Sequence, residues 1–203
     1  MSSETPAIDF YFDFSSPYGY LAATRIEAIA AKHRRQVNWR PILLGPMFKA
    51  AGTAPLIAVP LKGPYSARDL LRTARFLKVP YVQPEAFPIG TQNAARAFYW
   101  LADRDQTKAQ KFAMTCYTTY FGHGIDISSA EKIANIAAQM GEDRAAVLAA
   151  MADPIVKERL KGEVDAALAK GVFGSPFIII DGEPFWGNDR LDQVDAWLAT
   201  GGF

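Results

Sequence analysis

Few residues in this chain stand where chemistry can be done, and the first group is Ser15-Ser16-Pro17. They close the apolar run Ile8 to Phe14 and open a stretch of helical spacing. A strand passing into a helix there exposes first-turn backbone N–H groups and the positive end of the helix dipole, and both stabilise an anion. Ser16 reads as the N-cap and Pro17 as the first helical residue. Capping is therefore the plainest role for Ser16, although a capping hydroxyl can also face a ligand. Two more groups come late, Gly174-Ser175-Pro176 and Trp186-Gly187-Asn188-Asp189-Arg190-Leu191. In the second, a glycine and the N–H groups after it suit a carboxylate, and Asp189 can accept from an ammonium. Asn188 or Asp189 serves equally well as a helix cap, and Arg190 reads as solvated.

Other chemistry is thinly supplied. The single cysteine, Cys116, lies among Met114, Tyr117 and Tyr120 and reads as a core thiol. One cysteine allows no intrachain disulfide. The two histidines, His33 and His123, are far apart and suggest no metal site. His33 falls at a helix C-terminus and reads as dipole-stabilised surface. His123, between two glycines, reads as solvated or structural, with catalytic acid or base as the alternative. No carboxylate pair stands out.

Composition narrows the classes further. With 203 residues, 50% hydrophobic and 21% charged, the chain can bury a sizeable core. Its formal net charge of +1, from scattered basic residues, argues against nucleic acid as a partner. No apolar run has the length of a membrane span, and MSSETPA has no signal-peptide pattern, so no membrane partner and a cytoplasmic location are expected.

The elements that must position these groups follow from periodicity. Met1 to Ala7 reads as a polar tail. Ile8 to Phe14 alternates, with Asp9, Tyr11 and Asp13 opposite the apolar face. A helix from Pro17 and a strand from Val37 to Ile42 complete a strand–helix–strand unit. Leu44 to Pro64 carries many Gly and Pro breakers and reads as loop, with a short turn at Met47 to Ala51. Helices are predicted from Ser66, as cap, to Lys78, over Thr91 to Ala102, and over Gln106 to Phe121. Two more run from a capping box at Ser128 to Glu131 as far as Gly141, and from Asp153-Pro154 to Gly171. Phe177 to Ile180, a turn at Asp181-Gly182 and Pro184 to Trp186 form a hairpin before a last helix. This order is that of an α/β, thioredoxin-like domain (residues 1–44 and 169–203) interrupted by a helical insertion (residues 45–168).

Phe14-Ser15-Ser16-Pro17-Tyr18-Gly19-Tyr20, the tryptophan-containing run and Phe121-Gly122-His123-Gly124-Ile125-Asp126 resemble the 2-hydroxychromene-2-carboxylate isomerases and the related kappa-class glutathione transferases. In that branch a serine replaces the first cysteine of the redox pair. Here Ser16 takes that position and Gly19 the second, so dithiol exchange is excluded. The resemblance implies that the anion is the thiolate of bound glutathione, favoured by the Ser16 hydroxyl and the helix N-terminus. It implies a cis bond at Ser175-Pro176 that turns the Ser175 backbone to the ligand. It places Asn188, Asp189 and Arg190 at the γ-glutamyl end and Lys62 at the glycine carboxylate, with Thr53 in place of the family's asparagine.

The activity so implied is a glutathione-dependent isomerisation of an aromatic oxo acid by reversible thiolate addition, with a homodimer as the assembly. The aromatic-rich insertion would supply an apolar pocket for the substrate's rings. A kappa-like transferase acting on soluble electrophiles is the alternative, and a non-catalytic glutathione-binding protein is the third reading.

Overall fold

The structure, a computed structural model, describes residues 7–203. The polar tail expected at 1–6 thus lies outside the described residues. β1 (Ile8–Phe12) is the centre of a four-stranded sheet of order β2-β1-β3-β4. The crossover helix α1 (Pro17–Lys32) lets β2 (Val37–Pro41) run parallel to β1, with Phe10 opposite Trp39. β3 (Phe177–Ile180) pairs antiparallel on the other side, with Phe10 opposite Ile178, and its hairpin partner β4 (Glu183–Trp186) forms the edge. This is the predicted thioredoxin-like order, and the helices between β2 and β3 are its insertion.

β1 is buried on both faces, not one. Phe10, Phe12 and Phe14 stack among Trp39, Phe98 and Tyr117. On the opposite face Tyr11 and Asp13 are also buried, at 2% and 4% exposure. Helix α8 (Pro154–Ala169) covers that side, where Glu163 meets Arg40 and Arg40 meets Asp9. Alternation in the sequence therefore marked two different buried environments, one aromatic and one ionic.

The insertion departs from its predicted boundaries at instructive places. Leu44–Ala51 forms a full helix, α2, because Gly45 and Pro46 fall in its first turn, where neither removes an intrahelical bond. Gly52 then closes it in the left-handed region. A short 3₁₀ turn, Leu56–Ala58, precedes α3 (Lys62–Leu77). Ser66 does not cap α3; it is buried inside it and donates to Gly63 O at 2.8 Å. Pro64 misled the reading, since in the first turn its missing N–H costs no bond.

Next come α4 (Gln92–Ala102) and α5 (Gln106–Tyr117), the latter running on into a π turn at Thr118–Gly122. α6 (Ala130–Gln139) is capped by Ser129 and not Ser128, so the capping-box position falls on Lys132, and Glu131 pairs with Arg144. α7 (Arg144–Ala152), capped by Asp143, fills a stretch expected to connect two helices. The last helix, α9 (Leu191–Thr200), follows a 3₁₀ turn over Asn188–Arg190 and is capped by neither Asn188 nor Asp189. His33 is not free surface: its Nε2 lies 2.5 Å from Asp195 Oδ1 of α9.

Candidate active site

Ser16 follows a turn after β1, takes an extended conformation (φ −99°, ψ 110°) and caps α1, its Oγ accepting from Gly19 N at 3.0 Å. The same hydroxyl donates to Ser175 O at 2.8 Å. Ser175-Pro176 is cis, as the resemblance implied, and this brings the Ser175 backbone against the start of α1. The Ser175 side chain completes the contact by accepting from Asp13 N at 3.0 Å. Two segments 159 residues apart are thus joined by two bonds, both donated to Ser175 from the segment that opens α1.

Beneath them lies a residue that the sequence reading passed over. Asp13 is buried, and its carboxylate accepts from Ser15 N, Leu44 N and Thr91 Oγ1 at 2.7–2.8 Å. Burial raises its carboxyl above the ordinary range, while these donors pull it back. Its backbone O accepts from Ser16 N at 2.8 Å and from the Tyr117 hydroxyl at 2.9 Å. Asp13 therefore ties the strand end to α2, α4 and α5. A carboxylate three residues before a capping serine was the available signal, but its partners Leu44 and Thr91 are distant in sequence.

Gly19 marks the position of the missing second thiol. A Cβ placed there would lie 2.6 Å from the Tyr117 hydroxyl and 2.8 Å from Ser175 Oγ. The site has no room for a cysteine at that position. The thiol of Cys116 lies in the core, and burial holds its pKa far above the usual range, so it offers no replacement.

What remains for a ligand is a set of donors. Pro17 has no N–H, and those of Gly19 and Tyr20 are taken by Ser16 Oγ and Ser16 O. The first-turn N–H of Tyr18 has no intrahelical acceptor. The Tyr18 hydroxyl is already committed, donating to Asp69 Oδ2 of α3 at 2.6 Å. Burial, that bond and the charges of Asp69, Tyr65 and Asp189 push its pKa well up.

The structure brings some predicted residues together and leaves others apart. Gly187 N donates to Pro176 O at 3.1 Å, which sets the turn of Asn188, Asp189 and Arg190 beside the cis proline. Gly187 has φ +117°, and a Cβ there would meet Asp189 Oδ1 at 2.4 Å, so glycine is required. Asn188 is buried at 5% exposure and its Oδ1 has no hydrogen-bond partner among the described residues. Asp189 and Arg190 are exposed and pair weakly with each other at 3.5 Å. Thr53 and Lys62 are exposed, one just after α2 and one opening α3, and neither bonds to the Ser16 group. His123 is exposed. Among the described residues no cluster of His, Cys, Asp or Glu is suited to a metal, and no helix is long and apolar enough to cross a membrane.

Comparison with known proteins settles the kinship. Residues 7–199 match the DsbA-like thioredoxin domain. A protein named 2-hydroxychromene-2-carboxylate isomerase from Sphingobium xenophagum is 31% identical over 202 residues, covering 96% of this chain and 98% of its own. The chain belongs to the 2-hydroxychromene-2-carboxylate isomerase family. A solved structure named for the same isomerase superposes with a TM-score of 0.87 at 26% identity, covering 96% of this chain and 95% of that one. The isomerase family extends towards the kappa transferases: human glutathione S-transferase kappa 1 is 25% identical over 92% of this chain and 88% of its own. Family members of both names are enzymes.

Proposed function

We propose that this chain is a glutathione-dependent isomerase interconverting 2-hydroxychromene-2-carboxylate and trans-o-hydroxybenzylidenepyruvate, or a similar aromatic oxo acid. The observation that carries the reading is the Ser16 hydroxyl, capping α1 and bonded to Ser175 O, with the second thiol position closed at Gly19. A site so built holds a foreign anion and has no redox thiol of its own.

The residues present suit glutathione. Asn188 Oδ1 is a buried acceptor lacking a donor, and an ammonium or amide N–H would supply one. The Tyr18 N–H lies at the positive end of α1, where a thiolate is favoured. Ser175, Pro176, Asn188, Asp189 and Arg190 would hold the γ-glutamyl and cysteinyl parts, and Thr53 and Lys62 the glycine carboxylate. Glutathione, when bound, supplies a thiolate that adds reversibly to the conjugated chain of the substrate, allowing rotation about a former double bond.

The protein's own contribution is positioning and charge. Ser16 holds its hydrogen on Ser175 O before a ligand arrives. To stabilise a thiolate it must swing that hydrogen outward, while Gly19 N keeps the oxygen in place. The aromatic rings of the insertion at 112, 117, 120 and 121 are fully buried in the core, and Phe98 borders a cavity with Arg40, Arg159 and Glu163 that Ser16 does not line. Nearer to Ser16 are the half-buried, apolar Phe87 and Ile89, on a loop that Ile89 N ties to Ser15 Oγ at 3.0 Å. There the substrate's rings would rest.

Ser16→Ala should raise the pKa of bound glutathione by about one pH unit, the worth of one hydrogen bond to a charged sulfur. Thiolate ultraviolet absorbance against pH measures it, and coincident titrations would remove Ser16 from the mechanism. Calorimetric titration with glutathione comes first, since failure to bind sinks this reading and the transferase alternative together. Given binding, turnover of a chromene carboxylate without loss of glutathione supports the isomerase. Consumption of glutathione on a chloronitroaromatic, with no isomerisation, supports the transferase. Binding with neither reaction leaves a glutathione-binding protein.

A further inference from the structure

A second cavity, of about 210 Å³, opens in the insertion between α4, α6, α7 and α8. Its walls include Ala130, Leu148 and Met151, and two cations, Arg96 and Lys157, face it. No residue of the Ser16 site lines it, and no carboxylate does.

Arg96 carries the argument. Its side chain is half-buried, and its one hydrogen bond is a long contact from Nη1 to Met151 O at 3.5 Å. Its Nε is buried without any partner. A guanidinium has five N–H donors, and the Nε–Nη2 edge is one of the faces that pair with a carboxylate through two parallel bonds. Among the described residues that edge has no acceptor, and no acidic side chain forms an ion pair with Arg96. Leaving a buried cationic donor unpaired is costly, so the natural partner is an anion from outside. An arginine serving only the last carbonyls of α7 would use one donor of the five. Lys157 is exposed and likewise without a carboxylate partner among the described residues. Asn93 is already engaged, donating to Ser128 O at 3.2 Å. Ala130, the first residue of α6, brings that helix's positive end to the wall.

We propose that this cavity binds a small carboxylate with an apolar body, Arg96 gripping the carboxylate side-on, Lys157 adding charge, and Leu148 and Met151 packing the body. The volume is below the roughly 300–1,000 Å³ that holds drug-sized ligands, which suits a single-ring acid.

Benzoate is the probe, with benzyl alcohol as its neutral counterpart and inorganic phosphate as an anion without an apolar part. The readout is the Arg96 Nε–H cross-peak of nitrogen-labelled protein, identified by its disappearance in Arg96→Lys. Benzoate should move that peak saturably with a roughly millimolar dissociation constant, and benzyl alcohol should leave it in place. Followed by the amides of Ala130 and Met151, Arg96→Lys should weaken benzoate about tenfold, since charge is kept and the fork is lost. Lys157→Gln, an exposed change that leaves the packing intact, should weaken it about two- to fivefold. An unmoved Nε–H peak at saturating benzoate overturns the proposal, as does equal affinity for phosphate or for benzyl alcohol.

Discussion

Ser16 bonds to its near neighbours Asp13 and Gly19 and also to Ser175, 159 residues along the chain, whereas the backbone leading into Lys62 bonds only to near neighbours. On the lysine side Lys62 N reaches Pro60 O, Gly63 N reaches Val59 O and Val59 N reaches Leu56 O. Leu56, Ile57 and Leu61 are exposed there, and Leu61 sits at φ +66°, which costs a non-glycine residue about 1–3 kcal/mol. Local bonds and few buried contacts mark a segment that opens easily. On the function proposed above, the two sides would divide the work accordingly. The serine side would be a frame built before a ligand comes, with only the Ser16 hydrogen left to turn. The lysine side would be the looser segment that brings charge to the ligand.

The most damaging way to break this contrast is Gly19→Ala. Its methyl would displace the Tyr117 and Ser175 hydroxyls, both of which hold the Asp13 backbone. A loss of about 2–4 kcal/mol is expected in urea denaturation, together with loss of turnover. A variant as stable as the parent would show that the serine side is not rigid. Tyr117→Phe is milder, removing one bond to Asp13 O while Ser16 N still donates there. It should cost about 1–2 kcal/mol and lower kcat more than it raises KM, because Ser16 loses part of its support.

The same contrast governs what could be read in advance. Ser16 and Pro17 were legible because a cap is local, made of residues three apart. The cis proline and the Gly187 turn were legible only through kinship, since a cis bond leaves no mark in composition. Asp13 was not legible as a hub: its partners Leu44 and Thr91 lie 31 and 78 residues away, and Thr91 was read as the boundary of a helix. Thr91 does stand there, but its hydroxyl turns to Asp13 and leaves α4 without a side-chain cap. α2 and the true start of α3 were hidden by Gly and Pro residues that a first helical turn accepts.

Lys62→Ala probes the other side. Its side chain is exposed and makes no bond to a described residue, so stability should stay within about 0.5 kcal/mol of the parent. The apparent KM for glutathione should rise about three- to tenfold at unchanged kcat, the pattern of an interaction made equally in ground and transition states. A fall in kcat with KM unchanged would mean that Lys62 acts on the chemistry and that the division of labour is wrong.

Asp9 tests whether the stiffness of the serine side belongs to β1 as a whole or to the Asp13 hub alone. It shares the strand but lies on the ionic face, where burial would raise its pKa and the bonds from Arg40 and Lys170 overcome this and lower it. A carboxylate depressed in the folded state stabilises the protein above its ordinary value near 3.8 and loses that contribution as the pH falls through its lower folded value. Asp9→Asn should therefore cost about 1 kcal/mol near pH 7, a difference that shrinks below the ordinary value and vanishes once the parent's Asp9 is protonated. Urea denaturation near pH 7 and again below the ordinary value measures this, and turnover should be unchanged because neither Asp9 nor its partners Arg40 and Lys170 bond to Ser16. If turnover falls with stability, the ionic face also holds Ser16 in place, and the fixed side of the site is the whole strand.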